Sequence, residues 1–273
     1  MKVAALQMVS GSTLADNLAQ ARQLLEAAAR AGAELAALPE YFCLMGRSDA
    51  DKLALAERFG AGPIQDFLAR AARELGLWIA AGTLPLASSE PARAHNSTLV
   101  FNPEGVCAAR YDKIHLFRLD AGAEQFDEAR SIAPGGAPVR FELAARDGRV
   151  WRVGLSICYD LRFPELYRAH AAAGCELLLV PSAFTHGTGR DHWEVLLRAR
   201  AIENQAFVLA PAQGGVHDNG RRTWGHSMLV DPWGEVLAQQ ASGAGVVLGT
   251  LDAQRMAAVR DRLPALAHRV LHA

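Results

Sequence analysis

Cys158 stands where a nucleophilic cysteine could act. It ends the apolar run VWRVGLSIC, which is typical of a buried strand, and the polar turn YDLRFP follows at once. Open α/β sheets bind their ligands at the carboxyl ends of strands. A helix start nearby would also favour a thiolate there. The alternative for any single cysteine is a buried structural residue that packs as a small hydrophobe.

Two further residues could complete a site for acyl transfer. Glu40 directly follows the apolar segment ELAALP, and a carboxylate at that place could act as a general base. Lys113 lies in RYDKIHLF beside an apolar residue, and an ammonium in an apolar cleft can stabilise an oxyanion. The chain has only two other lysines, Lys2 and Lys52, so arginine is its usual basic residue. A solvated loop glutamate and an ordinary surface lysine are the alternatives.

Other motifs with known chemistry are incomplete or absent. The four cysteines form no CxxC pair, which argues against a zinc site and a disulfide scaffold. GLSIC lacks the second glycine of a GxSxG elbow, and neither GxxxxGK[ST] nor GxGxxG occurs. His186 and His192 are six residues apart, which does not fit a helical metal pair. We expect no metal and no cofactor. A Cys–His thiol hydrolase stays open, because folding could bring a histidine to Cys158.

The segments that must position these residues alternate between strands and helices. Ser12 or Thr13 is a plausible N-cap for the first helix, and Gly32 ends it. Asn-Pro-Glu-Gly and Asp-Pro-Trp-Gly are turn signals for two hairpins. We expect strands over residues 2–8, 34–38, 77–82, 97–101, 105–111, 150–158, 176–181, 207–211, 224–230, 234–239 and 246–251, and helices over 15–31, 64–75, 164–173 and 192–204.

This alternation predicts an α/β fold in which helices cover mixed sheets, the hairpins adding antiparallel strands. No stretch rich in proline, glycine and serine divides the chain, and PGGAP at 134–138 is too short to be a boundary. We therefore expect one domain over residues 1–273.

The composition excludes several classes of protein. The 273 residues are 51% hydrophobic and 21% charged, which is typical of a globular protein rather than a disordered one. With 28 basic and 29 acidic residues, the chain has no net field to attract nucleic acid or an anionic membrane. No run approaches 18 apolar residues, and the first segment reads as a strand rather than a signal peptide. We expect a cytoplasmic protein with no nucleic-acid or membrane partner.

Four segments together resemble the nitrilase superfamily of carbon–nitrogen hydrolases. They are LPEYF, YDKIHLF, ICYDLRFPELYR and WGHSMLVDPWGEVLA, and the similarity runs from residue 3 to beyond residue 251. The resemblance implies a four-layer α-β-β-α sandwich that assembles into homodimers or larger homo-oligomers. It also implies hydrolysis of a non-peptide C–N bond in a small-molecule substrate, without a metal or organic cofactor.

The segment HWEVLLRARAIENQAFVLAPAQGGVH is similar to the branch whose amidases hydrolyse deaminated glutathione. Pro211 and Ala206 depart from the residues common there, alanine and cysteine. The expected function is an amidase that releases ammonia from deaminated glutathione, or from a similar small amide, through a cysteine thioester. An ω-amidase acting on α-keto acid amides and a nitrilase are alternatives. A catalytically silent binding or assembly module is the alternative from another class.

The resemblance also implies the roles of the site residues. Glu40, Lys113 and Cys158 match the catalytic triad, and Glu128 matches a second glutamate that positions substrate or orients the lysine. The backbone N–H of Tyr159 would join Lys113 in holding the oxyanion. The remaining candidates are expected to bind substrate or line its pocket: Arg162, Arg47, Phe184 and Thr185. Arg162 could instead be a structural arginine paired with an acid of its own turn.

Overall fold

The computed structural model describes residues 1–121 and 124–271. Over these residues the strands are β1 (Lys2–Gln7), β2 (Leu35–Ala37), β3 (Trp78–Ala80), β4 (Leu84–Ala87), β5 (Ala94–Phe101), β6 (Cys107–Asp112), β7 (Arg118–Ala121), β8 (Glu124–Asp127), β9 (Arg140–Ala144), β10 (Val150–Leu155), β11 (Leu177–Leu179), β12 (Phe207–Ala210), β13 (Ser227–Val230), β14 (Val236–Gln240) and β15 (Gly245–Thr250). The α-helices are α1 (Leu14–Arg30), α2 (Asp49–Ala54), α3 (Pro63–Leu75), α4 (Pro164–Ala172), α5 (His186–Asn204) and α6 (Ala253–Arg262). Two short 3-10 helices cover Glu128–Arg130 and Cys158–Arg162.

The strands form two large mixed sheets of similar design. The first has the order β15-β1-β2-β3-β5-β4, with β6 on β5, and β1, β2 and β3 are parallel. The second has the order β14-β13-β12-β11-β10-β9, and β10, β11 and β12 are parallel. Antiparallel strands flank each parallel centre, which confirms the expected mixed sheets. A two-stranded ribbon, β7–β8, lies apart from both.

Alternation along β1 shows how the layers stack. Val3 and Ala5 belong to the core between the two sheets, whereas Ala4 and Leu6 face a second core. That second core also holds Leu25 of α1 and other residues of α1 and α3, so both helices cover the outside of the first sheet. Helix α5 packs on β12 and β13, and α4 packs on α5. The order of layers is therefore α-β-β-α, as the resemblance implied.

Several elements differ from the sequence prediction. Helix α5 begins at His186, six residues before the expected start, although its first turn contains glycines. Gly189 explains this: a Cβ there would lie 2.2 Å from the Cβ of Trp224, so close packing requires glycine. The short α2, β4, β9 and the ribbon β7–β8 were not predicted, and neither was α6. No helix within the described residues combines the length and apolarity needed to span a membrane.

The fold brings carboxyl ends of strands from both sheets to one place. Glu40 follows β2, and Lys113 follows β6 of the same sheet. Cys158 follows β10, and Ala183 follows the neighbouring β11 in the other sheet. A hydrogen bond from the backbone N–H of Cys158 to the carbonyl of Pro181, 3.0 Å, ties these two strand ends together.

Candidate active site

A cavity that is partly open to solvent lies where these strand ends meet. Five of the expected site residues that line it are acidic, basic or thiol groups, and aromatic rings form much of its wall. The lining includes Glu40, Tyr41, Lys52, Lys113, Phe117, Phe126, Glu128, Arg130, Cys158, Tyr159, Arg162, Phe184, Thr185 and Arg221.

Glu40 is buried and fully hydrogen-bonded. Its Oε1 accepts from Nζ of Lys113 at 2.9 Å and from Nδ2 of Asn96 at 3.0 Å. Its Oε2 accepts from the backbone N–H of Ala183 at 3.0 Å, which ties the two sheets together across the site. The carbonyl of Glu40 accepts from Nε2 of Gln213 at 3.2 Å. The carboxylate is thus held by donors from both halves of the molecule.

The ammonium of Lys113 lies between two carboxylates. Besides the bond to Glu40, it donates to Oε2 of Glu128 at 2.8 Å, and only 2% of its side chain is exposed. Burial alone would lower the pKa of Lys113, but the carboxylates of Glu128 and Glu40 raise it well above its usual value. The lysine is therefore a fixed positive charge at neutral pH.

Glu128 is anchored by four donors. Its Oε1 accepts from the hydroxyl of Tyr41 at 2.7 Å and from Asn96 at 3.1 Å. Its Oε2 accepts from Lys113 and from the backbone N–H of Phe117 at 2.8 Å. Burial would raise the pKa of this carboxyl, but the charge of Lys113 and these hydrogen bonds lower it. Glu128 therefore orients Lys113 as an ionised carboxylate.

Cys158 opens its 3-10 helix in a left-handed conformation, with φ of +47°. Non-glycine residues rarely adopt this geometry, and strained turns of this kind cluster at functional sites. The residue is 7% exposed. Burial, followed by the negative charge of Glu40, raises the pKa of the thiol well above its ordinary value, and Lys113 opposes them. The thiol therefore keeps its proton at neutral pH until a base removes it.

Asp160 holds the turn that presents Cys158. Its Oδ2 accepts from the backbone N–H of Ile157 at 2.8 Å and from the hydroxyl of Tyr111 at 2.7 Å. Its Oδ1 accepts from the backbone N–H of His115 at 3.0 Å and lies 2.7 Å from Nδ1 of the same residue. The side chain is completely buried. Asp160 thus links the Cys158 turn to the segment after Lys113.

Asp160→Asn should lower the free energy of unfolding by about 3 kcal/mol, because the amide nitrogen would face donors that now bind a carboxylate. Denaturant unfolding measures this change. Asp147→Asn is the matched control, since the Asp147 carboxylate accepts a backbone N–H, that of Arg149, at an exposed turn. A loss below about 1 kcal/mol in Asp160→Asn would show that the network does not support the turn.

Tyr159 is the second residue of the 3-10 helix, and it lines the cavity. Its backbone N–H makes no hydrogen bond to another residue in the described part of the chain. It is therefore free to donate to a ligand atom bound beside Cys158.

Three of the four substrate-binding candidates line the cavity, and Arg47 does not. Arg162, Phe184 and Thr185 line the cavity, with the Arg162 guanidinium 5.4 Å from the centroid of the Phe184 ring. Nη1 of Arg162 lies 3.2 Å from Nδ1 of His192 rather than pairing with an acid of its own turn. Arg47 is exposed and does not line the cavity. Arg47 lies before α2, and the helix turns Lys52 toward the site instead.

Several residues of the site were not found from the sequence, among them Tyr41, Asn96, Lys52 and Arg221. For Lys52 a signal existed, since lysine is scarce in this chain. Tyr41 and Asn96 carry no such signal, because a tyrosine after Glu40 and an asparagine in a strand are ordinary. Among the described residues, no group of three or more His, Cys, Asp or Glu could hold a metal ion.

The chain is similar to known proteins over almost its whole length. The family model for carbon–nitrogen hydrolases matches residues 2–261. A Synechocystis protein named deaminated glutathione amidase is 40% identical over 98% of this chain and 97% of its own length. A human protein of the same name is 39% identical over 98% of this chain and 81% of its own.

A solved structure, that of the C. elegans NitFhit protein, is 36% identical with a TM-score of 0.89. The match covers 98% of this chain and spans 65% of that longer one. The chain belongs to the carbon–nitrogen hydrolase family.

Proposed function

We propose that this protein is an amidase that acts on deaminated glutathione through a thioester at Cys158. One observation carries the proposal: the Lys113 ammonium is fixed between Glu40 and Glu128 in the cavity that Cys158 also lines. A base, an oxyanion donor and a nucleophile in one cavity are what acyl transfer requires.

The first step is nucleophilic attack. Because the thiol is protonated at neutral pH, Glu40 takes its proton as sulfur attacks the carbonyl carbon of the substrate. The carbonyl oxygen gains the negative charge and is stabilised by Lys113 and the N–H of Tyr159. One such donor is worth about 2.7–4 kcal/mol of barrier.

The second step breaks the C–N bond. The proton on Glu40 passes to the departing nitrogen, and the acyl group stays on Cys158 as a thioester. Glu40 is then free to accept a proton from water, which attacks the thioester carbonyl. The acid leaves, and the proton on Glu40 returns to the Cys158 thiolate, so that the site is restored.

The substrate assignment changes one expectation about the product. Glutathione is a tripeptide, so both amide nitrogens of its deaminated form are secondary, and their cleavage releases an amine rather than ammonia. Ammonia is the product only from a primary amide. Deaminated glutathione also has a carboxylate at each end, and the cavity is lined by four cations besides Lys113: Lys52, Arg130, Arg162 and Arg221.

We also propose a homo-oligomer in a reducing compartment such as the cytoplasm. Exposed apolar side chains on α5 and near it support an assembly face, with Val195 at 69%, Ile202 at 50% and Trp233 at 43% exposure. Free thiols at all four cysteines support the compartment.

Product formation from three substrates tests the proposal: deaminated glutathione, α-ketoglutaramate and an aliphatic nitrile. We expect kcat/KM for deaminated glutathione to exceed the others by at least about tenfold, because only this substrate has two carboxylates for the cationic lining. The acid product of each substrate is measured by mass spectrometry. Preference for α-ketoglutaramate would assign an ω-amidase, and preference for the nitrile a nitrilase. Hydrolysis of none of them would contradict the proposal.

A further inference from the structure

Two cations of the cavity, Lys52 and Arg221, make no hydrogen bond to a carboxylate in the described part of the chain. Nζ of Lys52 makes no hydrogen bond there, and Oδ1 of the half-exposed Asp49 is 3.7 Å away. The Arg221 guanidinium forms no ion pair with a described carboxylate. Its Nη1 instead donates to the weak acceptor Sδ of Met45, 3.4 Å away. Both side chains line the cavity, as does Asp49.

The surroundings of these cations are aromatic and partly shielded from water. The ammonium of Lys52 lies 4.8 Å from the centroid of the Tyr41 ring, and its side chain is only 15% exposed. The guanidinium of Arg221 lies 5.4 Å from the Phe126 centroid. Burial lowers the pKa of Lys52, and the positive charge of Arg221 lowers it further. The negative charge of Glu128 acts in the opposite direction. The two cations are therefore close enough to repel one another.

Arg162 lies at the other end of a row of three rings. Arg221 contacts Phe126, whose centroid is 5.7 Å from that of Phe117. The Phe117 centroid is 5.2 Å from that of Tyr159, and the Tyr159 centroid is 6.0 Å from the Arg162 guanidinium. The cavity thus has cationic groups at both ends of this row.

Partly buried like charges that no carboxylate hydrogen-bonds are unfavourable unless a ligand supplies the opposite charge. A guanidinium binds a carboxylate through two N–H groups, and a lysine ammonium adds a compact point charge. We propose that Lys52 and Arg221 together bind one carboxylate of the substrate while Arg162 binds the other. The cavity would then select amides with an anionic group on each side of the scissile bond. This inference rests on the proposed function and specifies its substrate class.

Exchanging carboxylates of the substrate tests the pair. Deaminated glutathione is compared with two analogues, in each of which one carboxylate is a neutral carboxamide. The wild-type protein should prefer the acid to both analogues by kcat/KM. In the Lys52→Met/Arg221→Gln variant, the preference for the acid over one of the two analogues should fall at least tenfold. Its preference over the other analogue should fall much less. Lys52→Arg, which keeps the charge, should retain most of the preference.

Lys2→Met is the matched control, since Lys2 is an exposed lysine that donates to the carbonyl of Ala31 on the surface. It should keep the wild-type preference. If the wild-type protein hydrolyses deaminated glutathione but the double variant keeps both preferences, the carboxylate pair is wrong and the proposed function stands.

If the wild-type protein hydrolyses none of the three compounds, the proposed function fails, and calorimetric binding of deaminated glutathione to Cys158→Ala protein still tests the pair. When Lys52→Met and Arg221→Gln are introduced into the Cys158→Ala protein, binding should weaken at least tenfold. Equal binding by the two proteins, or no detectable binding by either, would overturn the inference.

Discussion

Replacing Cys158 with alanine should lower kcat for amide hydrolysis by at least about 10⁴-fold while leaving the fold intact. The sulfur is the atom that carries the acyl group, and no other thiol lines the cavity among the described residues. Alanine keeps the Cβ, so the strained backbone at φ of +47° is not changed by the substitution. Steady-state kinetics measures the loss, and circular dichroism checks the fold.

The control for this variant is Cys175→Ala. Cys175 is another buried free thiol, but it lies before β11 and does not line the cavity. Its substitution should leave kcat/KM within about twofold of the wild type. Turnover by Cys158→Ala at a tenth of the wild-type rate or more would show that the thioester route is not used.

Lys113→Met should have the second largest effect, on stability and activity together. Removing the ammonium leaves the carboxylates of Glu40 and Glu128 buried without the cation that both now bind, and only the neutral amide of Asn96 still donates to both. Breaking a buried ion pair from one side costs about 3–5 kcal/mol, and loss of the oxyanion donor should lower kcat at least about 10³-fold. Denaturant unfolding and steady-state kinetics measure the two losses.

A second substitution separates these effects. Lys113→Met/Glu128→Gln removes one of the two stranded charges, so it should regain part of the lost stability but none of the activity. An activity restored by Glu128→Gln would mean that Lys113 matters only by neutralising the Glu128 carboxylate and not as an oxyanion donor. Unchanged stability in Lys113→Met alone would contradict the buried cluster.

The parts of the fold that could be predicted are those in which the local pattern agrees with the tertiary structure. Strands β1 and β2 are almost fully buried runs with clear ends, and α1 and α3 are bounded by glycines or proline. The short α2, β4 and the β7–β8 ribbon depend on packing and pairing with distant segments, which a local pattern does not record. The start of α5 depends on contact between Gly189 and Trp224 in the same way.

The same distinction separates the site residues that could be predicted from the sequence from those that could not. Glu40, Lys113 and Cys158 were predicted because each directly follows a strand in a motif of recognisable type. Asn96 was not, since its importance lies in one bond to Glu40 and another to Glu128, which only the folded chain reveals. Arg47 was expected at the site and Lys52 was not, whereas the structure shows the reverse. The direction of a side chain near a short helix cannot be predicted from sequence spacing alone.

Trapping the covalent intermediate tests the central claim most directly. Deaminated glutathione is mixed with the protein, the reaction is quenched in acid during turnover, and the intact and digested protein are weighed by mass spectrometry. We predict an acyl adduct with the mass of the acid product less water, on the peptide that contains Cys158, and absent from Cys158→Ala. Turnover with no adduct on Cys158, or an adduct on another residue, would contradict the account.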